Sequence, residues 1–196
     1  MFTGIIETMG KVVDIKHNNT NLDIFIESSI TPELRIDQSV AHNGVCLTVV
    51  GINENVYQVT AIDETLKRSN LGDLQIGEAI NLERCMLMNG RLDGHIVQGH
   101  VDCKATCKCI IDKNGSWEFY FEYDKNPTHL TVEKGSVCIN GVSLTVVESK
   151  INSFSVAIIP YTFENTNFKN LKTGDAVNIE FDIIGKYVAR MMEFRS

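Results

Sequence analysis

A chain of 196 residues, 43% hydrophobic and 22% charged, is long enough for one domain or for two small ones, with the balance of an ordinary soluble globular protein. Its formal net charge of −7 argues against a nucleic-acid partner, whose phosphates are bound mainly by Lys and Arg. No apolar run approaches the roughly 18 residues that suggest a membrane span, and MFTGIIETMGKVV at the start lacks the basic lead and apolar stretch of a signal peptide, so the expected compartment is the cytoplasm and the six cysteines are expected to be thiols.

Taken in chain order, the first half opens on KVVDIK (11–16) and LDIFIE (22–27), then CLTVVGI (46–52) and VYQVTAI (56–62). These are short runs rich in β-branched residues, separated by Asn, Gly or Asp, and several alternate apolar with polar as half-buried antiparallel strands do. ETLKRSNLGDL (64–74) reads as single helical turns. The second half repeats the scheme with WEFYFEY (117–123), SLTVVES (143–149), FSVAII (154–159) and AVNIEF (176–181). About six short strands per half predict a small closed barrel, which leaves no sheet edge exposed.

The repetition is literal. SVAHNGVCLTVV (39–50) and SVCINGVSLTVV (136–147) agree at nine of twelve positions and stand 97 residues apart. At the same offset, IDETLKRSNLGDLQIGEAINLE (62–83) aligns with IPYTFENTNFKNLKTGDAVNIE (159–180). FTGIIE (2–7) sits opposite VQGHVD (97–102) at an offset of 95, which puts a repeat boundary near His95. A period this long marks a duplicated domain rather than a solenoid. We therefore expect a first unit at 1–95, a second at 96–185 and a C-terminal helix at 186–196. In the tail, Ile184, Val188 and Met191 share one helical face. That face either caps its own barrel or packs against copies of itself.

Within NGV[CS]LTVV, alternation puts Cys46 and Thr48 on one strand face and Leu47 on the other; Ser143, Thr145 and Leu144 repeat this. The polar face either hydrogen-bonds a planar ligand or bonds the neighbouring backbone inside a core. GHIVQGHVD (94–102) occurs once, at the junction, and offers glycines for close backbone approach and two histidines that titrate near neutrality. The cluster His95, His100, Cys103, Cys107 and Cys109 invites a metal reading, but its cysteine spacing matches no structural zinc site, and Cys107 and Cys109 would share one strand face. No dinucleotide, P-loop, zincin or nucleophile-elbow motif is present in the sequence.

Together MFTGIIE, NGVCLTV, NLGDL, GHIVQGHVD, NGVSLTV and IPYT, in this order and spanning Met1 to about Phe181, resemble the riboflavin synthase family. The resemblance implies an all-β fold of two six-stranded antiparallel Greek-key barrels in tandem, followed by a C-terminal helix that holds a homotrimer. It implies a dismutation of two 6,7-dimethyl-8-ribityllumazine molecules to riboflavin and 5-amino-6-ribitylamino-uracil, without metal or organic cofactor. Two substrate molecules then meet in one active site, between the N-terminal barrel of one subunit and the C-terminal barrel of its neighbour.

By position, the resemblance assigns to a first pocket Gly4, Ile5, Ile6, Cys46, Leu47, Thr48, Thr60, Ala61, Ile62, Asp63, Glu64 and Thr65. To a second it assigns Gly99, His100, Val101, Ser143, Leu144, Thr145, Ala157, Ile158, Ile159, Pro160, Tyr161 and Thr162. Lys134 matches a position that reaches a ligand across the subunit boundary, and Phe2 an aromatic the family needs for activity. His100, Ser143 and Cys46 are expected nearest the chemistry, with Thr145 and Asp182 behind them. One departure is the short helix ending in ARMMEFRS, which bears on the tightness of a trimer. The alternative function is a non-catalytic lumazine or flavin carrier of the same fold.

Overall fold

A computed structural model describes residues 1–194. The first half forms β1 (Thr8–Asn18), β2 (Asn21–Glu27), β3 (Ser39–His42), β4 (Val45–Asn53), β5 (Val56–Ala61) and β6 (Ala79–Arg84). These close into an antiparallel barrel in the order β1-β2-β5-β4-β3-β6. The second half repeats it with β7 (Cys103–Asp112), β8 (Trp117–Tyr123), β9 (Ser136–Ile139), β10 (Val142–Ser149), β11 (Ser153–Ile158) and β12 (Ala176–Phe181), in the order β7-β8-β11-β10-β9-β12. The non-sequential order is that of a Greek key, and each half has its own core, Val40, Val49, Tyr57 and Ile80 in the first, Phe119, Phe121, Phe154 and Phe168 in the second. Among the described residues no helix is long and apolar enough to cross a membrane.

The duplicated Asn-Gly explains itself at once. Asn43 and Gly44 have φ of 46° and 80°, Asn140 and Gly141 φ of 46° and 83°. Two left-handed residues in succession make the tight hairpins β3–β4 and β9–β10, a geometry that Asn-Gly adopts with least strain. The four-residue strands β3 and β9 are too short to show alternation. β7 is hidden for another reason: its inward residues are the small Ala105 and Cys107 rather than β-branched ones. A register shift between Cys107 and Cys109 also overturns their expected common face, since Cys107 is buried in the barrel and Cys109 is exposed.

Where the barrels meet, buried asparagines bond reciprocally. Asn81 Nδ2 donates to the Asn140 carbonyl, and Asn178 Nδ2 to that of Asn43, each at 2.9 Å. These bonds satisfy hairpin carbonyls that would otherwise be buried without partners. A third small core of Phe2, Ala41, Val97 and Cys138 fills the junction. Across it Phe2 N donates to Val97 O at 2.7 Å and Val97 N to Phe2 O at 3.1 Å, so the opening segments of both repeats lie side by side.

Short helices α1 (Asp63–Arg68) and α2 (Pro160–Asn165) follow β5 and β11. The last helix, α3 (Ile183–Glu193), is capped by Asp182, whose carboxylate accepts from Ile184 N at 2.9 Å. Lys186 ties it to Asp102 at 2.6 Å. No residue of α3 is buried; Ile184, Val188 and Met191 are 64%, 51% and 62% exposed, so its apolar face does not cap its own barrel.

Candidate active site

The core face of β4 is Val45, Leu47 and Val49, and that of β10 is Val142, Leu144 and Val146. Cys46 and Thr48, and likewise Ser143 and Thr145, therefore point outward, away from the barrel interior. The side chains of Leu47 and Leu144 are packed inside, leaving only their backbone on the outer side.

What covers these outward faces is exchanged between repeats. Cys46 N donates to Gly99 O at 2.9 Å, and Val101 packs on the first barrel's core. Ser143 N donates to Gly4 O at 2.7 Å, and Ile6 packs on the second barrel's core. The resemblance groups Gly4, Ile5 and Ile6 with Cys46, and Gly99, His100 and Val101 with Ser143; in the fold Gly4 and Ile6 lie on the second barrel, and Gly99 and Val101 on the first. The physical reason is the Phe2–Val97 pairing, past which each segment continues onto the other barrel. Glycine is required at both crossings. Gly4 and Gly99 have φ of 77° and 80°, and a Cβ on either would stand 2.6 Å from the Cβ of Ser143 or Cys46. The buried ring of Phe2 lies on the same side of Gly99, its Cε2 2.9 Å from that Cβ position.

In the first barrel, Val45, Cys46, Glu64, Thr65, Arg68, Ser69, Gly99, His100 and Val101 border a cleft of about 160 Å³. His100 is exposed on its rim. The remaining expected residues lie at the end of β5 and the start of α1: Ala61 is buried, Ile62 and Asp63 are exposed, and the Thr60 hydroxyl donates to Asp23 at 2.6 Å. Burial raises the pKa of the Cys46 thiol, partly offset by a hydrogen bond with the Ser39 side chain, so the group stays protonated. A protonated thiol orients a ligand; it is a poor nucleophile.

The second barrel differs in its polar equipment. His95 Nδ1 lies 2.7 Å from Ser143 Oγ. Burial lowers the pKa of His95, with the Asp182 carboxylate acting in the opposite direction. A neutral imidazole at hydrogen-bond distance from a hydroxyl can take up or return its proton. His95 is absent from the expected site residues, although it stands in the unrepeated GHIVQGHVD beside the chosen His100. Ile158 is buried, while Ala157, Ile159, Pro160 and Tyr161 are exposed and Thr162 half-buried. Behind α2, Trp117 stacks on Phe163 at 3.8 Å between ring centres. Lys134 is exposed with φ of 65°, and its N–H donates to Val146 O beside Thr145.

With this geometry in hand, comparison with known proteins is direct. The family profile described as "Lumazine binding domain" matches twice, at residues 3–85 and 98–182. Riboflavin synthase of Actinobacillus pleuropneumoniae is 39% identical over 193 residues, covering 98% of this chain and 90% of that protein. The chain belongs to the riboflavin synthase family. Other members include the riboflavin synthases of Bacillus subtilis (strain 168), 38% identical across 98% of this chain and 90% of that protein, and of Brucella abortus (strain 2308), 36% identical across 100% of both. Among solved structures, LumP complexed with riboflavin superimposes with a TM-score of 0.84 at 25% identity, covering 92% of this chain and 98% of that one. LumP complexed with 6,7-dimethyl-8-(1'-D-ribityl) lumazine shares the fold, with a TM-score of 0.84 at 24% identity over 92% of this chain and 99% of that one. The family's two matched domains coincide with the two barrels described above.

Proposed function

We propose that the protein is a riboflavin synthase: it dismutates two molecules of 6,7-dimethyl-8-ribityllumazine to riboflavin and 5-amino-6-ribitylamino-uracil. The observation that carries this reading is the near full-length identity of 36–39% to riboflavin synthases, with both outward faces, Cys46–Thr48 and Ser143–Thr145, and both crossing glycines present. A reaction between two identical molecules needs two similar pockets, and a duplicated barrel supplies them.

The chemistry asks for orientation and a proton relay. The substrate's conjugated ring acidifies its 7-methyl protons, so a modest base suffices. Holding two reactants in register is worth roughly 7–11 kcal/mol. In the second pocket, Ser143 and His95 form the relay, with Ser143 Oγ facing the ligand and an unprotonated His95 Nδ1 accepting the hydroxyl proton and returning it. In the first, the protonated Cys46 and the rim residue His100 position the ring. Four-carbon transfer consumes both substrates without water, oxidant or reductant, since the products together have the composition of two substrate molecules.

The cleft on one chain is about 160 Å³, below the roughly 300–1,000 Å³ of a typical ligand site, and it is open to one side. A second subunit placed over it, with α3 packing on its copies, would close the pocket and bring the two ligands face to face. This supports a homotrimer with its active site between subunits and with Lys134 reaching the neighbouring ligand. The carrier reading rests on likeness to LumP at 24–25% identity, well below the identity to the enzymes.

Purified protein mixed with 6,7-dimethyl-8-ribityllumazine and no additive should develop riboflavin absorbance. Stoichiometric binding without turnover would make it a carrier and sink the proposal.

A further inference from the structure

Two buried carboxylates remain outside the site as described. Glu83 on β6 and Glu180 on β12 are equivalent under the repeat and only 4% and 3% exposed. Neither forms an ion pair among the described residues. Glu83 instead accepts from Thr3 N and Thr3 Oγ1, each at 2.7 Å, and from Gly4 N at 3.0 Å. Glu180 accepts from Gln98 N at 2.7 Å, Gly99 N at 2.9 Å and His100 N at 2.8 Å. Each carboxylate thus gathers the N–H groups of one crossing segment, and that segment lies on the other barrel. Glu83 belongs to the first barrel yet holds Gly4 against Ser143 of the second. Glu180 belongs to the second yet holds Gly99 and His100 against Cys46 of the first. The Glu83 side reaches further, because Thr3 O accepts from His95 N at 3.1 Å, next to the His95–Ser143 contact.

We infer that Glu83 and Glu180 are crossed positioning residues: each carboxylate sets the wall of the pocket on the barrel to which it does not belong. An ionised carboxylate is acceptor-only and can take three donors at once. Gln offers one acceptor oxygen, and its amide turns two hydrogens toward N–H groups that need an acceptor. One or more backbone N–H groups then lose their partner, and the segment is free to lift from the opposite barrel. A purely structural carboxylate would weaken its own barrel or both alike. A crossed one weakens only the far pocket.

The inference rests on the reading of both pockets as flavin and lumazine sites, and the test keeps the two separable. Ile62 and Ile159 are equivalent, exposed residues at the starts of α1 and α2, one beside each pocket. Their δ1 methyl signals, recorded on the full-length protein during titration with riboflavin, report the pockets separately. Glu180→Gln should weaken binding read at Ile62 at least tenfold and leave that at Ile159 within twofold. Glu83→Gln should do the converse. It should also lower kcat more than Glu180→Gln does, through His95. Losses on the barrel that carries the substitution, equal losses at both pockets, or no loss at either overturn the inference. If neither methyl moves in the unsubstituted protein, the reading of the pockets fails first and the inference with it. Should a Gln variant not fold, Glu83→Asp and Glu180→Asp keep both oxygens at shorter reach, and the same crossed pattern is required of them.

Discussion

His95 and Ser143 are 48 residues apart, belong to the junction and to a strand of the second barrel, and meet at 2.7 Å between Nδ1 and Oγ. Ser143→Ala removes the hydroxyl and should lower kcat on the order of 10²-fold, the usual scale for losing a positioned acid–base group. Riboflavin binding in the first pocket should change little. Equal losses in both pockets would contradict the assignment. The pH profile supplies a second check. Burial lowers the pKa of His95, so its neutral form persists to lower pH than that of an unburied histidine, and activity should decline as pH falls through its protonation. His95→Gln should abolish that acid limb.

The glycine crossings are a matter of space as well as conformation. Gly4→Ala and Gly99→Ala each place a Cβ 2.6 Å from a neighbouring Cβ at positive φ. Overpacking should cost about 1–3 kcal/mol, in addition to roughly 1 kcal/mol for the left-handed backbone. Gly77 also has positive φ, at 97°, but nothing lies within 4 Å of its Cβ position. Gly77→Ala should therefore show the backbone cost alone. Urea unfolding of the three variants measures both terms, and equal losses in all three would refute the steric account.

His42 and Tyr57 form a buried polar pair inside the first barrel, 2.8 Å between Nε2 and the hydroxyl, where the second has Ile139 and Phe154. Desolvation pushes His42 down to about 4. The unfolded chain takes up the proton near 6.5, the folded one only near 4, so this stability is complete above about 6.5 and is lost as pH falls from there to about 4. The loss should be about 3 kcal/mol by that shift. The double variant His42→Ile with Tyr57→Phe, which copies the second barrel, should flatten the dependence. Denaturant titrations at pH 7 and pH 4.5 compare the two proteins, and an unchanged slope would assign the acid sensitivity elsewhere.

Helix α3 presents an apolar face that its own chain leaves exposed. Ending the chain after Gly185, or replacing Ile184, Val188 and Met191 together by Glu, should convert the proposed trimer to monomer on sedimentation. The triple substitution retains the Lys186–Asp102 ion pair and so separates packing from tethering. A trimer unchanged by both would remove the helix from the interface.

Much of the fold was legible because its causes are local. Alternation marked β2, β4, β5, β8, β10 and β11, and Asn-Gly marked two hairpin turns whose backbone needs those residues. The strands that escaped were those with too few residues to alternate, β3 and β9, the one with small inward side chains, β7, and β6, which is buried on both faces and so does not alternate. At the site, strand parity put Cys46 with Thr48 and Ser143 with Thr145, but that this face points outward was decided only by the burial of Leu47 and Leu144. His95 was passed over because its role depends on a partner in another element, and nothing in GHIVQGHVD distinguishes its two histidines.

By itself the sequence determined that one domain is written twice, that each copy closes as a barrel, and that Cys46 and Ser143 hold equivalent places in the two copies. Only the tertiary structure decided which segment completes which pocket. The resemblance groups residues that share a copy, and it therefore places Gly4 with Cys46. The folded chain pairs Phe2 with Val97 at the junction, binds each crossing segment to a buried glutamate of one barrel, and lays it on the other. Each of those contacts uses a backbone N–H or C=O that nearly every residue carries, so although the glycines and glutamates stand in the sequence, nothing there says which segment they bind.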